Sequence, residues 1–444
     1  MIDRRDTLRL ALLGLTLAGG TGALTACAGE HDPGLQPGTD GEPDGIELVS
    51  SDAKRAPGDP TLVAPVVDGL RSFAGELYSR LAAEPGNVVL SPYSVAIALG
   101  MTLVGAAGTT AEEMGAVLRT GRLGDRWHKG LNAVTTGIAS LAGEQVRVDG
   151  SKAEIELATA NQLFGQLGVA WEAGFLDVLA KQYGAALRGV DFVTAPEEAR
   201  QLVNRWVEDQ TRDRIVDLVP EGVIDPSTRL VLVNAIHLKA PWEQPFEKTL
   251  TASGPFRRAD GSTVTTDLMR RPDLRGSWVR GDDFSAAVVP YAGSRLAMSI
   301  VVPDEGAFDA VEEVAAQAGF TALTTGAVAA TIDLTLPRWS FRTAAPLKEA
   351  LQAMGMPTAF GDGADFRPMT EEDLDLVIAE VLHQGFIAVD EEGTEASAAT
   401  AVVMAETAAP VPEVLVADRP FLFAIHDLEH GTPLFVGRVA DPTA

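Results

Sequence analysis

The chain has 444 residues, of which 46% are hydrophobic, and it carries a formal net charge of −27. This length and apolar content suffice for one large core or two smaller ones. The acidic balance argues against nucleic acids and other polyanions as partners, because like charges repel. The single cysteine, Cys27, excludes an internal disulfide framework.

Residues 1–26 have the pattern of an export leader. A basic start with Arg4-Arg5 precedes an apolar run from Leu10 to Leu24, and Leu24-Thr25-Ala26-Cys27 follows. This resembles a bacterial lipoprotein signal peptide, in which cleavage before Cys27 leaves a lipidated cysteine. A short transmembrane anchor is the alternative, although the run is short and glycine-rich. We therefore expect an exported protein, lipid-anchored at the outer face of the cell membrane, through either the Sec or the twin-arginine route.

Residues 27–61 are predicted to be the lipidated cysteine and a disordered acidic tether. Gly, Pro, Asp and Glu dominate this segment, so it cannot bury enough apolar surface to offset the entropy of ordering. Residues 62–444 are predicted to form one domain, because no second linker and no internal repeat interrupts them.

Helical and strand patterns follow one another along this domain. Apolar residues at helical spacing predict helices over 66–83 and over 95–104, the second with Ser94 as its N-cap. Further helices are predicted at 171–184 and 346–354, and strands at 87–91, broken by Pro92, and at 155–164, 189–192, 230–238, 256–269, 284–291, 296–303 and 332–341.

A stretch of small residues near the C-terminus, 390–410, has an unusual pattern. It contains no proline before Pro410, so every earlier N–H group can join a sheet ladder. The face that begins with Glu395 can meet water. The opposite face carries no charge and consists of Thr394, Ala396, Ala398, Thr400, Val402 and Met404. The stretch could therefore become a buried central strand; a mobile alanine-rich linker is the simpler alternative.

The segment 391–400 resembles the hinge of the reactive-centre loop of inhibitory serpins. The helix at 96–105, the motif Asn161-Gln162-Leu163-Phe164 and the C-terminal hairpin (418–425 and 433–439) also resemble serpin sequence, so the likeness covers essentially residues 62–444. It implies an α+β fold with a large central β-sheet, two smaller sheets, about eight to nine helices and an exposed loop at about 391–412.

The resemblance implies suicide inhibition of a serine endopeptidase, with no cofactor and no enzymatic activity. In this family a protease attacks the loop, forms an acyl-enzyme and is trapped as the loop inserts into the central sheet. A charged side chain at Thr394 or Ala396 would have to be buried without a partner during insertion, and none is present. The implied hinge residues are Glu391, Gly393, Thr394, Glu395, Ala396, Ala398 and Thr400.

Family spacing places the attacked bond at Thr407–Ala408. The segment before Pro420 is slightly longer than usual, so Glu406–Thr407 and Ala408–Ala409 stay open. Thr or Ala at the attacked position suits an elastase- or subtilisin-like enzyme, whereas Glu406 suits a glutamyl endopeptidase. No Lys or Arg lies between Asp390 and Asp418, which argues against trypsin-like targets.

Two further sites are implied by the resemblance. Trp242 corresponds to the tryptophan of the breach, where the loop first enters the sheet. A polar cluster beneath the sheet centre, the shutter, would contain Ser91, Ser94, Asn234 and His383. Ordinary core residues and a helix cap are the alternatives for these positions.

No metal site is expected. His426 and His430 are spaced like ligands on a helix, but they are predicted to be solvated histidines of a turn. The expected partners are a target serine protease in a covalent complex and a membrane reached through the lipid on Cys27. We expect a monomer that is liable to polymerise, because an open sheet can accept another molecule's loop. A non-inhibitory surface binding protein and an inhibitor of cysteine proteases are the competing hypotheses.

Overall fold

The computed structural model describes residues 45–395 and 411–444. The predicted leader, Cys27, residues 27–44 of the tether and the loop positions 396–410 lie outside these residues. The described α-helices are α1 (Val63–Leu81), α2 (Pro92–Leu103), α3 (Gly108–Val117), α4 (Arg126–Ala139), α5 (Ala173–Val178), α6 (Pro196–Gln210), α7 (Phe308–Ala318) and α8 (Lys348–Met354).

The described strands fall into two sheets. In chain order they are β1 (Glu47–Val49), β2 (Val88–Leu90), β3 (Gly143–Val146), β4 (Lys152–Gln166), β5 (Leu187–Val190), β6 (Leu230–Pro241), β7 (Ala252–Arg257), β8 (Thr263–Arg280), β9 (Phe284–Pro290), β10 (Leu296–Pro303), β11 (Val328–Pro337), β12 (Trp339–Pro346), β13 (Val381–Val389), β14 (Gly393–Thr394), β15 (Glu413–Val416), β16 (Phe421–Asp427) and β17 (Pro433–Val439).

The central sheet has eight strands in the order β1-β5-β4-β6-β14-β13-β12, with β3 paired to β4. The other nine strands run in the order β15-β11-β8-β9-β10-β16-β17-β2, with β7 paired to β8. These nine form one continuous sheet where the sequence predicts two smaller ones. The 18-residue β8 is the reason, because it pairs with β7 and β11 and also, through Ser277–Arg280, with β9.

The middle of the central sheet is buried on both faces. Alternate residues of β6, among them Val231 and Val233, belong to a core shared with Val203 and Trp206 of α6. The strand is buried along almost its whole length, which explains its near-continuous apolar run. We call the face covered by α6 the front of the sheet.

The tether prediction is wrong for residues 45–61. Strand β1 pairs antiparallel with β5 at the edge of the central sheet, and Ile46 is buried. The Ala56 N–H donates to the Lys181 carbonyl at 2.8 Å, and the Asp59 N–H donates to the Lys129 carbonyl at 2.9 Å. Composition could not predict this order, since the segment is held by backbone groups of distant elements.

The start of α2 also differs from the prediction. The N-cap is Ser91, whose Oγ accepts a hydrogen bond from the Ser94 N–H at 3.2 Å, and Pro92 occupies the first helical position. Proline is favoured there because the first N–H groups of a helix have no partner within it. Ser94 therefore lies inside the helix, and its hydroxyl does not serve as the N-cap.

Within residues 45–395 and 411–444, no helix has both the length and the apolar character needed to cross a membrane.

Candidate functional site: the loop hinge and the sheet around it

The short strand β14 occupies the gap between β6 and β13 at one end of the central sheet. Gly393 lies opposite Pro241 and Thr394 opposite Ala240 of β6, and Thr394 also lies opposite Val389 of β13, all antiparallel. Further along, β6 and β13 pair directly and in parallel, over Leu232–Ile236 and Val381–Gly385. The hinge thus stands at a fork where two central strands separate.

Gly393 is required by close packing at this fork. A Cβ atom at this position would lie 2.2 Å from the carbonyl oxygen of Ala240, at a backbone φ of 155°. Neither the contact nor the conformation suits a larger residue. Glycine therefore lets the hinge approach the backbone of β6.

Thr394 is buried against an aromatic pair. Its Oγ1 lies 2.7 Å from the hydroxyl of Tyr291, which stacks on Trp242 with ring centroids 4.6 Å apart. The Trp242 N–H donates to the Glu392 carbonyl at 2.8 Å, and its indole N–H donates to the Asp390 carbonyl at 3.1 Å. The structure thus places the predicted breach residue, Trp242, in contact with the predicted hinge.

The Glu391 carboxylate anchors the base of the hinge. It accepts hydrogen bonds from the Arg338 Nε at 2.9 Å and from the Thr251 hydroxyl at 2.5 Å, while its carbonyl accepts the Phe246 N–H at 2.8 Å. Burial alone would raise the pKa of Glu391, but the hydrogen bonds from Arg338 and Thr251 and the Arg338 charge hold it below its ordinary value. Glu391 is therefore a buried, ionised anchor.

Glu395 is predicted to face water, but in the structure it does not. Its side chain is only 5% exposed, and its Oε2 lies 2.6 Å from the His237 Nε2 and 3.2 Å from the Arg214 Nε. The front of the sheet is already covered here, because α6 and the chain that follows it lie over that face. The period-two pattern predicts which face a residue occupies, but not what covers that face.

The four predicted shutter residues are brought together, and a fifth joins them. His383 Nδ1–H donates to the Asn234 Oδ1 at 2.5 Å, and His383 Nε2 accepts the Ser91 N–H at 3.1 Å. The Asn234 amide donates to the Ser94 Oγ at 2.6 Å and to the Asn161 Oδ1 at 2.5 Å, and the Ser94 hydroxyl also donates to Asn161. Hydrogen bonds thus link these five residues into one network. Their role as a shutter stays a prediction.

This network crosses the line along which β6 and β13 would part. His383 lies opposite Asn234 across these two strands, and Asn161 lies opposite Asn234 from β4. Burial lowers the pKa of His383 to about 4. The imidazole is therefore neutral at neutral pH, which suits a ring that donates through one nitrogen and accepts through the other.

The prediction for His426 is wrong. This residue is buried on β16, with its Nε2 2.8 Å from the Ser299 hydroxyl, because β16 extends to Asp427 and includes it. Burial lowers the pKa of His426. His430 lies beyond the strand and is partly exposed, as predicted for a turn residue.

Several residues of the site have no counterpart among the sequence predictions. Asn161 lies within a motif that resembles the family, so its position carried a signal, whereas Arg338 was predicted only as part of the strand 332–341. His237 also left a trace, since it interrupts the apolar run of β6. Tyr291 and Arg214 left none, because only the fold brings them to the hinge. The predicted hinge residues Ala396, Ala398 and Thr400 and the candidate bond residues Glu406, Thr407, Ala408 and Ala409 lie outside the described residues.

The chain matches the Serpin family, whose members are described as serine protease inhibitors, over residues 68–442. It is 33% identical over 381 residues to the leukocyte elastase inhibitor of Bos taurus, covering 83% of this chain and 97% of that protein. Serpin48 of the insect Tenebrio molitor superposes with a TM-score of 0.75 at 27% identity, over 85% of this chain and 98% of that one. Human thyroxine-binding globulin superposes with a TM-score of 0.75 at 26% identity, over 86% of this chain and 100% of that one.

The chain therefore belongs to the serpin family. It has the α+β serpin fold that its sequence predicts.

Proposed function

We propose that this protein inhibits a serine endopeptidase by inserting its cleaved reactive-centre loop into the central sheet. The observation that carries this proposal is the seated hinge, in which Gly393 and Thr394 already pair antiparallel with β6 and β13. A strand that starts in this register can continue by replacing the direct pairing of β6 with β13. The protein then acts as a consumed inhibitor and not as an enzyme.

The residues around the fork have complementary roles in this mechanism. Glu391 and Arg338 hold the base of the loop, so that pulling by an attached acyl-enzyme cannot release it. Thr394 is already seated, with its hydroxyl bonded to the Tyr291 hydroxyl, and the residues that follow it extend the strand. The network of His383 and Asn234 then exchanges partners as the strands separate, which keeps buried polar groups paired.

The proposed target is an elastase- or subtilisin-like enzyme that attacks Thr407–Ala408. Small residues around this bond suit a small apolar specificity pocket, and leukocyte elastase inhibitor is the name of one relative. Cleavage at Glu406–Thr407 by a glutamyl endopeptidase and at Ala408–Ala409 are the alternatives. Inhibition of a cysteine protease through the same insertion is a further alternative.

The test mixes residues 45–444 with elastase, subtilisin, a glutamyl endopeptidase, trypsin and papain. We expect a covalent complex that survives SDS with elastase or subtilisin, and a released peptide that begins at Ala408 in mass spectrometry. Cleavage by every enzyme without such a complex would contradict the proposal.

Thr394→Arg tests whether trapping depends on insertion. Thr394 is 2% exposed, so an arginine there would be buried without a partner, at a cost of several kcal/mol. We expect cleavage at the same bond and the loss of most of the SDS-stable complex. The control is Val411→Arg, which adds the same side chain at a position that is 93% exposed and should leave trapping intact.

A second candidate function is binding without inhibition. The hinge is fixed by many contacts, and thyroxine-binding globulin has the same fold. A surface binding protein would be cleaved in the loop by proteases and would trap none of them. Equal behaviour of the wild type and Thr394→Arg, both cleaved and neither trapping, would favour this function.

We also propose that the protein is exported and anchored by a lipid on Cys27, and that its central sheet makes it liable to polymerise. The leader sequence supports the first proposal and the fork between β6 and β13 the second. Membrane fractionation of Cys27→Ser against the wild type in a bacterial host tests the anchor. Native gels after mild heating test for polymers.

A further inference from the structure

The Glu395 carboxylate is held on the front of the sheet by side chains from two different elements. His237 belongs to β6, whereas Arg214 belongs to the crossing segment, residues 211–229, which leads from α6 to β6. The Glu395 and His237 side chains are each 5% exposed, and Arg214 is 53% exposed. We call these three residues the Glu395 clamp. It connects the loop hinge to the chain that covers the sheet.

The clamp lies in the opening of the fork. The direct pairing of β6 with β13 ends at Ile236 opposite Gly385, and the hinge first pairs with β6 at Ala240. His237 is therefore the first residue of β6 beyond the direct pairing with β13. A strand that lengthens from Thr394 must pass over it.

Register shows what that strand would need. Because Thr394 lies opposite Ala240, an extended continuation brings position 395 opposite Lys239 and position 397 opposite His237. Side chains at 395 and 397 share one face, so position 397 needs the space in front of His237. The Glu395 carboxylate occupies this space now.

The backbone of Glu395 is also unsuited to a strand. Its φ is +50°, in the left-handed region, whereas strand residues have φ near −120° or below. This conformation is uncommon for a residue other than glycine, so compensating contacts are needed to keep it. The bonds to His237 and Arg214 supply such contacts, and the Glu395 N–H already donates to the Ala388 carbonyl at 2.9 Å.

The hydrogen-bonding atoms of the clamp are only partly paired. Within the described part of the chain, His237 Nδ1 and Glu395 Oε1 are buried and have no hydrogen-bond partner. A network with unused donors and acceptors is less stable than a complete one and can rearrange. It can therefore hold the hinge without fixing it permanently.

We propose that His237 and Arg214 are positioning residues that stop the hinge at Thr394 and retard insertion of the loop. They hold the Glu395 carboxylate in the path of the inserting strand. Arg214 connects this carboxylate to the crossing segment. Insertion requires the carboxylate to leave His237 and Arg214 before the next pair of residues can seat. This inference rests on the proposed function, because it concerns the rate of the same insertion.

A neighbouring ion pair gives a matched control. Arg212 also lies in the crossing segment, and it pairs with Glu156 of β4, which in turn accepts the Lys239 ammonium at 2.6 Å. Arg212→Gln removes the same charge from the same segment without touching the hinge. It separates loosening of the segment from loss of the clamp.

The experiment measures insertion without a target protease. The wild type and the variants Arg214→Gln, Glu395→Gln, the double variant and Arg212→Gln are cut in the loop by a brief pulse of thermolysin, a metalloprotease that forms no acyl-enzyme, and the digestion is stopped with a chelator. Insertion is followed as the appearance of a species that resists unfolding on a transverse urea gel. We expect Arg214→Gln and Glu395→Gln to insert about threefold to tenfold faster than the wild type, as for a pair worth about 1 kcal/mol.

The double variant should insert no faster than the faster single variant, because both changes remove one interaction. Arg212→Gln should stay within about twofold of the wild type. Wild-type rates for both clamp variants, or equal acceleration by Arg212→Gln, would overturn the clamp and leave the proposed inhibition standing. A cut wild type that never gains resistance to urea would overturn insertion itself, and the clamp with it.

Discussion

His383 illustrates how the hydrogen bonds of a single buried residue can depend on its protonation state. Its two ring nitrogens have opposite roles, since one donates to Asn234 and the other accepts from the Ser91 backbone. Protonation would turn the acceptor into a donor that faces another donor. The residue is therefore compatible with this network only while it is neutral.

The stability of the native form should fall as the pH drops from about 7 to about 5. Burial lowers the pKa of His383 to about 4, against 6.5 in the unfolded chain, so the unfolded chain takes up a proton that the native form does not. Stability is complete above pH 6.5 and is lost progressively below it, by about 2 kcal/mol at pH 5. The urea midpoint measured at both pH values reports this loss.

His128 has a pKa of about 4 for the same reason and adds a loss of the same sign. His426, whose pKa is also lowered by burial, adds a loss of the same sign. His383→Gln should therefore remove only part of the pH dependence of the wild type, about 2 kcal/mol at pH 5. The matched variant His128→Gln should behave alike. A pH dependence unchanged by His383→Gln would mean that His383 is not neutral in the native form.

The sequence predicts which residues belong to the site where the resemblance to the family is enough to place them. Ser91, Ser94, Asn234 and His383 were predicted and lie together. The surroundings of Glu395 were not predicted, because Arg214 reaches it from a segment some 180 residues away, and separation of this kind leaves no local periodicity.

Among the elements, strand β6 and helix α1 were predicted well, whereas the short strands β1 and β3 were not. The buried strand β6 and the helix α1 have strong patterns over many residues. Strands β1 and β3 have three and four residues and exist through their partners β5 and β4. Helix α2 begins earlier than predicted, because Pro92 was read as the end of a strand and not as the first helical residue.

The hairpin of β3 and β4 contacts Trp242, the predicted breach residue. Arg147 lies in the turn between β3 and β4, and its Nε donates to the Trp242 carbonyl at 2.9 Å. The Val148 N–H donates to the Glu243 carboxylate at 2.6 Å. The same carboxylate accepts the Gly293 N–H at 2.9 Å. The hairpin thus holds the end of β6 next to the residues that stack against the hinge.

Arg147→Gln should destabilise the native form by about 1–3 kcal/mol, because it leaves a buried carbonyl without its charged donor. The urea midpoint measures the change. Lys152→Gln is the control in the same hairpin, since Lys152 and Glu144 form an exposed pair with side chains 66% and 62% exposed. It should change stability by less than about 0.5 kcal/mol. Equal effects of the two substitutions would contradict the role of the hairpin.

The central sheet is open at one end, where β14 separates β6 from β13. Strands β6 and β13 pair in parallel over five positions, and the hinge opens the sheet at one end. An inserted strand would replace these pairs with two antiparallel neighbours along its length. The charge-free face of residues 394–404 predicts this capacity, because alternation depends on the chain alone and not on its partners. Positions 396–404 lie outside the described residues, so the capacity stays a prediction.

Cutting the loop should therefore raise the melting temperature of the protein sharply. About ten inserted residues would add ladder hydrogen bonds worth on the order of 10 kcal/mol in total, which corresponds to an increase on the order of 10 °C for a domain of this size. Differential scanning calorimetry before and after limited digestion with thermolysin, a metalloprotease that forms no acyl-enzyme, measures the difference. Cut Thr394→Arg is the control: its buried arginine blocks insertion, so its melting temperature should not rise. If the cut wild type melted at the temperature of the uncut protein, the central sheet would not be the receptor of the loop, and the fork at β14 would be a static feature of the fold.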